Sequence, residues 1–160
     1  PGTIPRMLEI ARRQDADIVI ASRYRRGSRQ VGVPFFRKAM SYGALVLFKL
    51  FLGIPGVRDY TCGFRLYRGS LVRRGFEAYG DELITRSGFA CTDQLLVNYA
   101  RLGAVMREAP FVLRYDRKVG ESKLQLGTTI VETFGLLARA RRELRRGAPP
   151  PRRRSIKPRR

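Results

Sequence analysis

Apolar positions along this chain switch between helical and continuous spacing, and that alternation predicts a mixed α/β domain. Ile4, Met7, Leu8 and Ala11 recur at three- and four-residue intervals, which predicts a helix over 4–13 with these four on one face. After a polar turn at 14–17, Ile18-Val19-Ile20-Ala21 is a short continuous apolar run rich in β-branched residues, the pattern of a strand buried in a parallel sheet. Ser22-Arg23-Tyr24 follows at its C-terminal end, where open α/β sheets place ligands. A loop from Arg25 to Val33 contains Gly27, Ser28 and Gly32. It leads to a long helical segment, Phe35 to Phe51, that is apolar almost all round. Such a helix is either buried in a core or lies in a membrane interface with Arg37, Lys38 and Lys49 reaching the headgroups.

The second half reads in the same way. Gly53-Ile54-Pro55-Gly56 is a turn, and Leu66-Tyr67-Arg68 is a short strand. A helix is expected from Ser70, as N-cap, to Ala78. Another is expected from Thr92 to Leu102, with Leu95, Leu96 and Tyr99 inward and Gly103 ending it. Ala104 to Tyr115 is strand-like but interrupted by Pro110, so an edge strand or a bent one. A final amphipathic helix is expected over 128–146, and a disordered Pro/Arg-rich basic tail over 147–160. The domain proper thus spans 1–146.

Charge changes this picture. The chain has 33 basic and 13 acidic residues, a net charge of +20, and half of the excess lies from Arg139 onward. Such a balance implies a polyanionic partner: anionic lipid, phosphorylated small molecules or nucleic acid. The alternative to an enzyme is a non-catalytic basic membrane-surface or nucleic-acid-binding module; the absence of helix-turn-helix, zinc and RNP-like patterns argues against its nucleic-acid form. There is no histidine, which excludes His-based acid/base catalysis and His-ligated metals. The two cysteines, Cys62 and Cys91, lack metal spacing and read as reduced thiols. No apolar run reaches the roughly 18 residues of a membrane span.

Candidate chemistry gathers in separate blocks. Asp59-Tyr60-Thr61-Cys62-Gly63-Phe64-Arg65 puts an acid, a hydroxyl, a glycine and an arginine within seven residues. Arg23, Arg37, Arg65 and Arg117, with Lys123 nearby, suit an anionic phosphate, and Ser41 and Ser122 add neutral donors. Arg37 and Ser41 are four apart and share a helix face. Asp15-Ala16-Asp17 has the Asp-x-Asp form that can hold a divalent cation, but it precedes a strand instead of following one, so a solvated turn is expected.

Taken in order, Asp17 to Tyr24, Arg37 with Ser41, Asp59 to Arg65, Gly88-Phe89-Ala90, Glu108-Ala109-Pro110 and Arg117 to Lys123 resemble a known family. It is the inverting glycosyltransferases of family 2, of GT-A fold, in their dolichol-phosphate mannose synthase-like, or polyprenol-phosphate glycosyltransferase, branch. The resemblance runs from residue 1 to about residue 138. It implies the C-terminal part of a GT-A (nucleotide-diphospho-sugar transferase) domain. The implied activity moves a sugar, mannose-like, from a nucleotide-sugar to a polyprenol phosphate at the cytosolic face of a membrane. The protein would then be cytoplasmic and peripherally bound to an anionic membrane surface, with no nucleic acid partner.

The resemblance also implies roles. Arg23, Arg37 and Ser41 would hold the acceptor phosphate. Arg65, Arg117, Ser122 and Lys123 would serve the donor and acceptor phosphates. Asp59, Asp93 and Gln94 would be the catalytic group, and the helix over 35–51 would be interfacial. The cofactor would be Mg2+ or Mn2+, its Asp-x-Asp ligands expected before Pro1 and none in this chain. On that expectation the chain begins after the nucleotide-binding part, would be inactive alone, and would leave a sheet edge uncovered. Gln94 stands where the family usually carries Glu, so either Asp93 beside it takes that role or the site is altered.

Overall fold

The structure, a computed structural model, describes residues 2–85, 90–117 and 137–147. Helix α1 (Thr3–Arg13) leads into strand β1 (Ile18–Ser22), whose five residues are all buried. Among the described residues β1 is the middle strand of three. It pairs in parallel with β4 (Met106–Pro110), Ile18 opposite Met106 through Ser22 opposite Pro110, and antiparallel with β3 (Arg65–Tyr67). The sheet is therefore mixed, and the parallel partner expected for the Ile18–Ala21 run is β4.

Side-chain alternation along β1 divides the core in two. Val19 and Ala21 face α1, where Met7, Ala16 and Ala109 complete a small cluster. Ile18 and Ile20 face a larger cluster that includes Leu71 of α3 (Gly69–Tyr79), Leu83, and Leu96 and Tyr99 of α4 (Ala90–Arg101). The inward face of α1 is Met7 with Ile10 and Ala11; Ile4 and Leu8, expected inside, are 53% and 40% exposed. A three-stranded sheet covers only a narrow stripe of so short a helix. Helix α3 begins one residue before the expected N-cap Ser70; Arg68 holds the cap position, and no side chain caps the helix.

Pro110 is where the strand-like segment bends. Beyond it, β5 (Val112–Arg114) leaves the main sheet and pairs in parallel with β2 (Arg29–Val31), a short strand inside the loop expected over 25–33. The 3₁₀ turn Tyr115–Arg117 follows. Residues 137–145 are helical, and Leu137 is buried in the larger cluster. The first part of the helix expected over 128–146 and the tail beyond 147 lie outside the described residues.

Helix α2 (Phe35–Leu52) is packed along one edge only. Phe48 is its one buried residue, with Ala44, Leu47, Phe51 and Leu52 packed against the core around it. Phe35, Phe36, Tyr42, Val46 and Leu50 are exposed, Phe35 by 86% and Leu50 by 71%. The helix is thus docked by one edge of its C-terminal half and carries an uncovered apolar stripe along its length. It is not a core helix. Among the described residues no helix is long and apolar enough to cross a membrane.

Candidate functional site

The C-terminal end of β1 carries the centre of the site. Arg23 follows the strand, and its guanidinium meets Asp59 in a two-pronged pair, Nε to Oδ2 at 2.8 Å and Nη2 to Oδ1 at 2.7 Å. The Arg23 amide also donates to Oδ2 (2.9 Å), and the Cys62 amide to Oδ1 (3.2 Å). Asp59 is fully buried, so both of its oxygens are committed to these four donors. Arg23 Nη2 further donates to Thr61 Oγ1 at 2.6 Å. Burial alone would lower the pKa of Arg23; the hydrogen bond and charge of Asp59 outweigh it and push it above its ordinary value. The cation is permanently charged and fixed in orientation.

Tyr24 links this pair to α2. Its hydroxyl donates to the Ser41 carbonyl at 3.0 Å and makes a short hydrogen bond with Ser41 Oγ. A phenol has one proton, so the Ser41 hydroxyl is the donor in the second contact. Burial pushes the Tyr24 phenol up, against the opposing pull of Ser41 and Arg23, which keeps it neutral. One turn before Ser41, the Arg37 guanidinium lies over the Tyr115 ring, 5.4 Å from its centre. Of the three residues named from the sequence for one anion, Arg23 and Ser41 are joined through Tyr24, and Arg37, on the same helix as Ser41, rests on Tyr115. Neither tyrosine drew a role from the sequence.

The loop that carries Asp59 is held from below by Glu108, a buried residue of β4. Its Oε1 accepts the amides of Arg58 (2.6 Å) and Asp59 (2.7 Å). Sequence reasoning gave Glu108 no task, since its partners lie 50 and 49 residues away. Glu108→Ala strips the acceptor from two amides and is expected to cost about 2 kcal/mol in urea unfolding; a loss near zero would mean that the loop finds other acceptors.

Two of the remaining residues, Arg65 and Gln94, brace local structure. Arg65 donates from Nη1 to the Thr92 carbonyl and from Nη2 to the Tyr60 carbonyl, both at 2.6 Å. It ties β3 to the first turn of α4 and is spent on backbone, with Nε buried and without an acceptor. Gln94 uses its amide on Thr85, accepting from its N–H and donating to Oγ1, both at 3.0 Å. Asp93 stands half-buried in the first turn of α4. Arg117 closes the turn Tyr115–Arg117, next to the Arg114–Asp116 pair. Its side chain, Ser122, Lys123 and the block 86–89 lie outside the described residues.

Asp15 and Asp17 are occupied by structure. Asp15 takes a positive φ of 45° at the turn and pairs with Arg68, and its side chain is 90% exposed. Asp17 accepts the Val105 amide at 3.0 Å and also meets Arg68. Among the described residues no three His, Cys, Asp or Glu side chains come together to hold a metal ion. The described residues do not fit Mg2+ or Mn2+. Neither Cys62 nor Cys91 is in a disulfide, and burial pushes the Cys62 thiol up.

The sequence matches no family model. It is 33% identical over 144 residues to an undecaprenyl-phosphate mannosyltransferase of Micrococcus luteus, covering 87% of this chain and 56% of that protein. It is 35% identical over 133 residues to a dolichol-phosphate mannosyltransferase of Pyrococcus furiosus, covering 82% of this chain and 34% of that protein. The chain thus spans about half the length of the first relative and a third of the second.

Proposed function

We propose that this chain is the acceptor-binding part of a family 2 glycosyltransferase of GT-A fold, which moves a mannose-like sugar from a nucleotide-sugar to the phosphate of a polyprenol at the cytosolic face of a membrane. The observation that carries the reading is a juxtaposition. A fixed cation, Arg23, and a second, Arg37, stand with Ser41 beside the uncovered apolar stripe of α2. A polyprenol phosphate has this form, an anion on a long apolar tail. The names of the two relatives and the mixed α/β fold support the same reading.

In this reading a phosphate oxygen of the acceptor attacks the anomeric carbon of the sugar. The new carbon–oxygen bond forms as the bond to the nucleotide diphosphate breaks, and the diphosphate leaves with the electron pair. The acceptor is already an anion, so no general base is needed, and a chain without histidine loses nothing by it. The contribution of these residues is alignment and charge neutralisation. Asp59 acts as a positioning residue: with both oxygens engaged, it holds the Arg23 guanidinium in one orientation. Nη1 of Arg23, which makes no hydrogen bond among the described residues, remains for the phosphate. Asp93 is the carboxylate beside Gln94, whose amide is turned to Thr85. The aromatic and aliphatic side chains of α2 would enter the headgroup boundary of the membrane, with the basic residues on anionic lipid.

The test is transfer of label from GDP-mannose to a polyprenyl phosphate by the gene product that carries this sequence; absence of transfer to any polyprenyl phosphate, from any nucleotide-sugar, would overturn the reading. Arg37→Ala is expected to lower transfer by about a hundredfold or more and to leave nucleotide-sugar binding unchanged. Loss of both would place Arg37 elsewhere than on the acceptor.

A further inference from the structure

A second cationic centre lies beside the loop that leads into Asp59, around a cavity of about 330 Å³. Arg25, Lys49 and Arg58 line it, with Glu108 and the apolar residues Ile54 and Val57. They come from three separate elements: the segment after β1, the last turn of α2 and the loop before Asp59. None of the three cations makes a side-chain hydrogen bond or ion pair among the described residues, whereas Arg23, Arg65, Arg68 and Arg114 all do. Like charges around one cavity repel one another, and a single carboxylate in the lining offsets only part of that repulsion. The carboxylate in the lining, Glu108, already receives the amides of Arg58 and Asp59 through Oε1, which offsets part of its charge.

We propose that this cavity binds a phosphate group. Three cations against one carboxylate leave an excess of two positive charges, which matches a phosphate monoester dianion. Arg25 and Arg58 supply planar donor forks and Lys49 a point charge, the combination that suits phosphate oxygens. The walls are set before any ligand arrives. Gly53 ends α2 in the left-handed region (φ 54°), and Gly56 (φ 81°) lies directly on the Met106 carbonyl, so the lip that carries Arg58 is fixed to β4. The site is separate from the proposed sugar transfer and does not depend on it. Its phosphate has two sources, a soluble phosphate ester or a lipid headgroup. Leu50, beside Lys49 and 71% exposed, continues the apolar stripe of α2 to the lip of the cavity.

The experiment titrates the 160-residue chain with inorganic phosphate at constant ionic strength, following amide resonances, and in parallel measures its sedimentation with phosphatidylcholine vesicles containing phosphatidic acid. The variant is Arg25→Gln/Lys49→Gln/Arg58→Gln. The control, Arg12→Gln/Arg13→Gln/Arg73→Gln, removes equal charge from exposed positions on α1 and α3. The pocket variant is expected to weaken phosphate binding by about tenfold, and the control by less than about twofold. Loss of free phosphate binding alone assigns a soluble phosphate, and loss that includes the vesicles assigns a lipid headgroup. Equal losses in the two variants, or no loss in the pocket variant, would overturn the site. All six residues are exposed, and unchanged amide positions away from the substitutions check that each variant is folded.

Discussion

Asp59→Ala is expected to lower the free energy of unfolding by about 4 kcal/mol, and Asp59→Asn by about 2 to 3 kcal/mol. Asp59 is fully buried and accepts from four donors, two of them on one guanidinium. Alanine leaves the Arg23 and Cys62 amides without an acceptor and the Arg23 charge without its partner. Asparagine keeps one carbonyl oxygen for an amide but turns an NH2 group toward Nε or Nη2 of Arg23, donor against donor. Because the Arg23 side chain keeps 20% of its surface in solvent, part of its charge is still hydrated, which holds the loss below that of a fully enclosed pair. Urea unfolding followed by tyrosine fluorescence reads both variants at unchanged denaturant slope. If Asp59→Asn matches the parent protein within about 0.5 kcal/mol, the pair is not what holds the loop. An Arg23→Met/Asp59→Asn double variant separates the two contributions: removal of the cation is expected to return part of the asparagine loss.

The strands were legible in the sequence where the cause is local. A continuous β-branched run marked β1, and Pro110 marked the bend between β4 and β5 because a proline cannot donate to a ladder. Arg37 and Ser41 share a face of α2 by helical geometry alone. Helix α2 was ambiguous for a physical reason: an all-round apolar helix shows no preferred side, and how much of it is covered depends on how much surface the other elements offer. Here they cover one edge of its second half.

What the sequence concealed was partnership at a distance. Asp59, Arg65 and Gln94 drew attention as chemical residue types. An arginine fork fits two carbonyls as well as it fits a phosphate, and Arg65 uses it so, on Tyr60 and Thr92. An amide side chain can staple a turn, as Gln94 does at Thr85. Glu108 and Tyr24, which position the loop and link Arg23 to α2, lie in blocks that carry the resemblance, but no role for either could be read from its neighbours in the chain. Their partners are fixed by the pairing of β1 with β4 and by the return of α2 past the end of β1.

Gly56→Ala is the substitution expected to damage the protein most, by more than about 4 kcal/mol. Gly56 has φ 81°, a region that L-residues enter at a cost of about 1 to 2 kcal/mol. Steric overlap costs more than this backbone strain. A Cβ at Gly56 would stand 2.1 Å from the Met106 carbonyl oxygen and 3.1 Å from its carbon. Neither atom can yield, since Met106 pairs with Ile18 in the sheet and its side chain is in the core. The loop itself would have to lift from β4, and Arg58 and Asp59, two and three residues later, would leave Glu108 Oε1. One methyl group would thus undo the Arg23–Asp59 geometry and the lip of the phosphate cavity together. Gly53→Ala is the control: it shares the left-handed region, with φ 54°, but its Cβ would meet only the Lys49 carbonyl at an ordinary 3.7 Å. That variant is expected to lose about 1 kcal/mol, the conformational cost alone. Should the two alanines cost the same in urea unfolding, the close approach of the loop to β4 is not what fixes the site; should Gly56→Ala fail to fold where Gly53→Ala folds, it is.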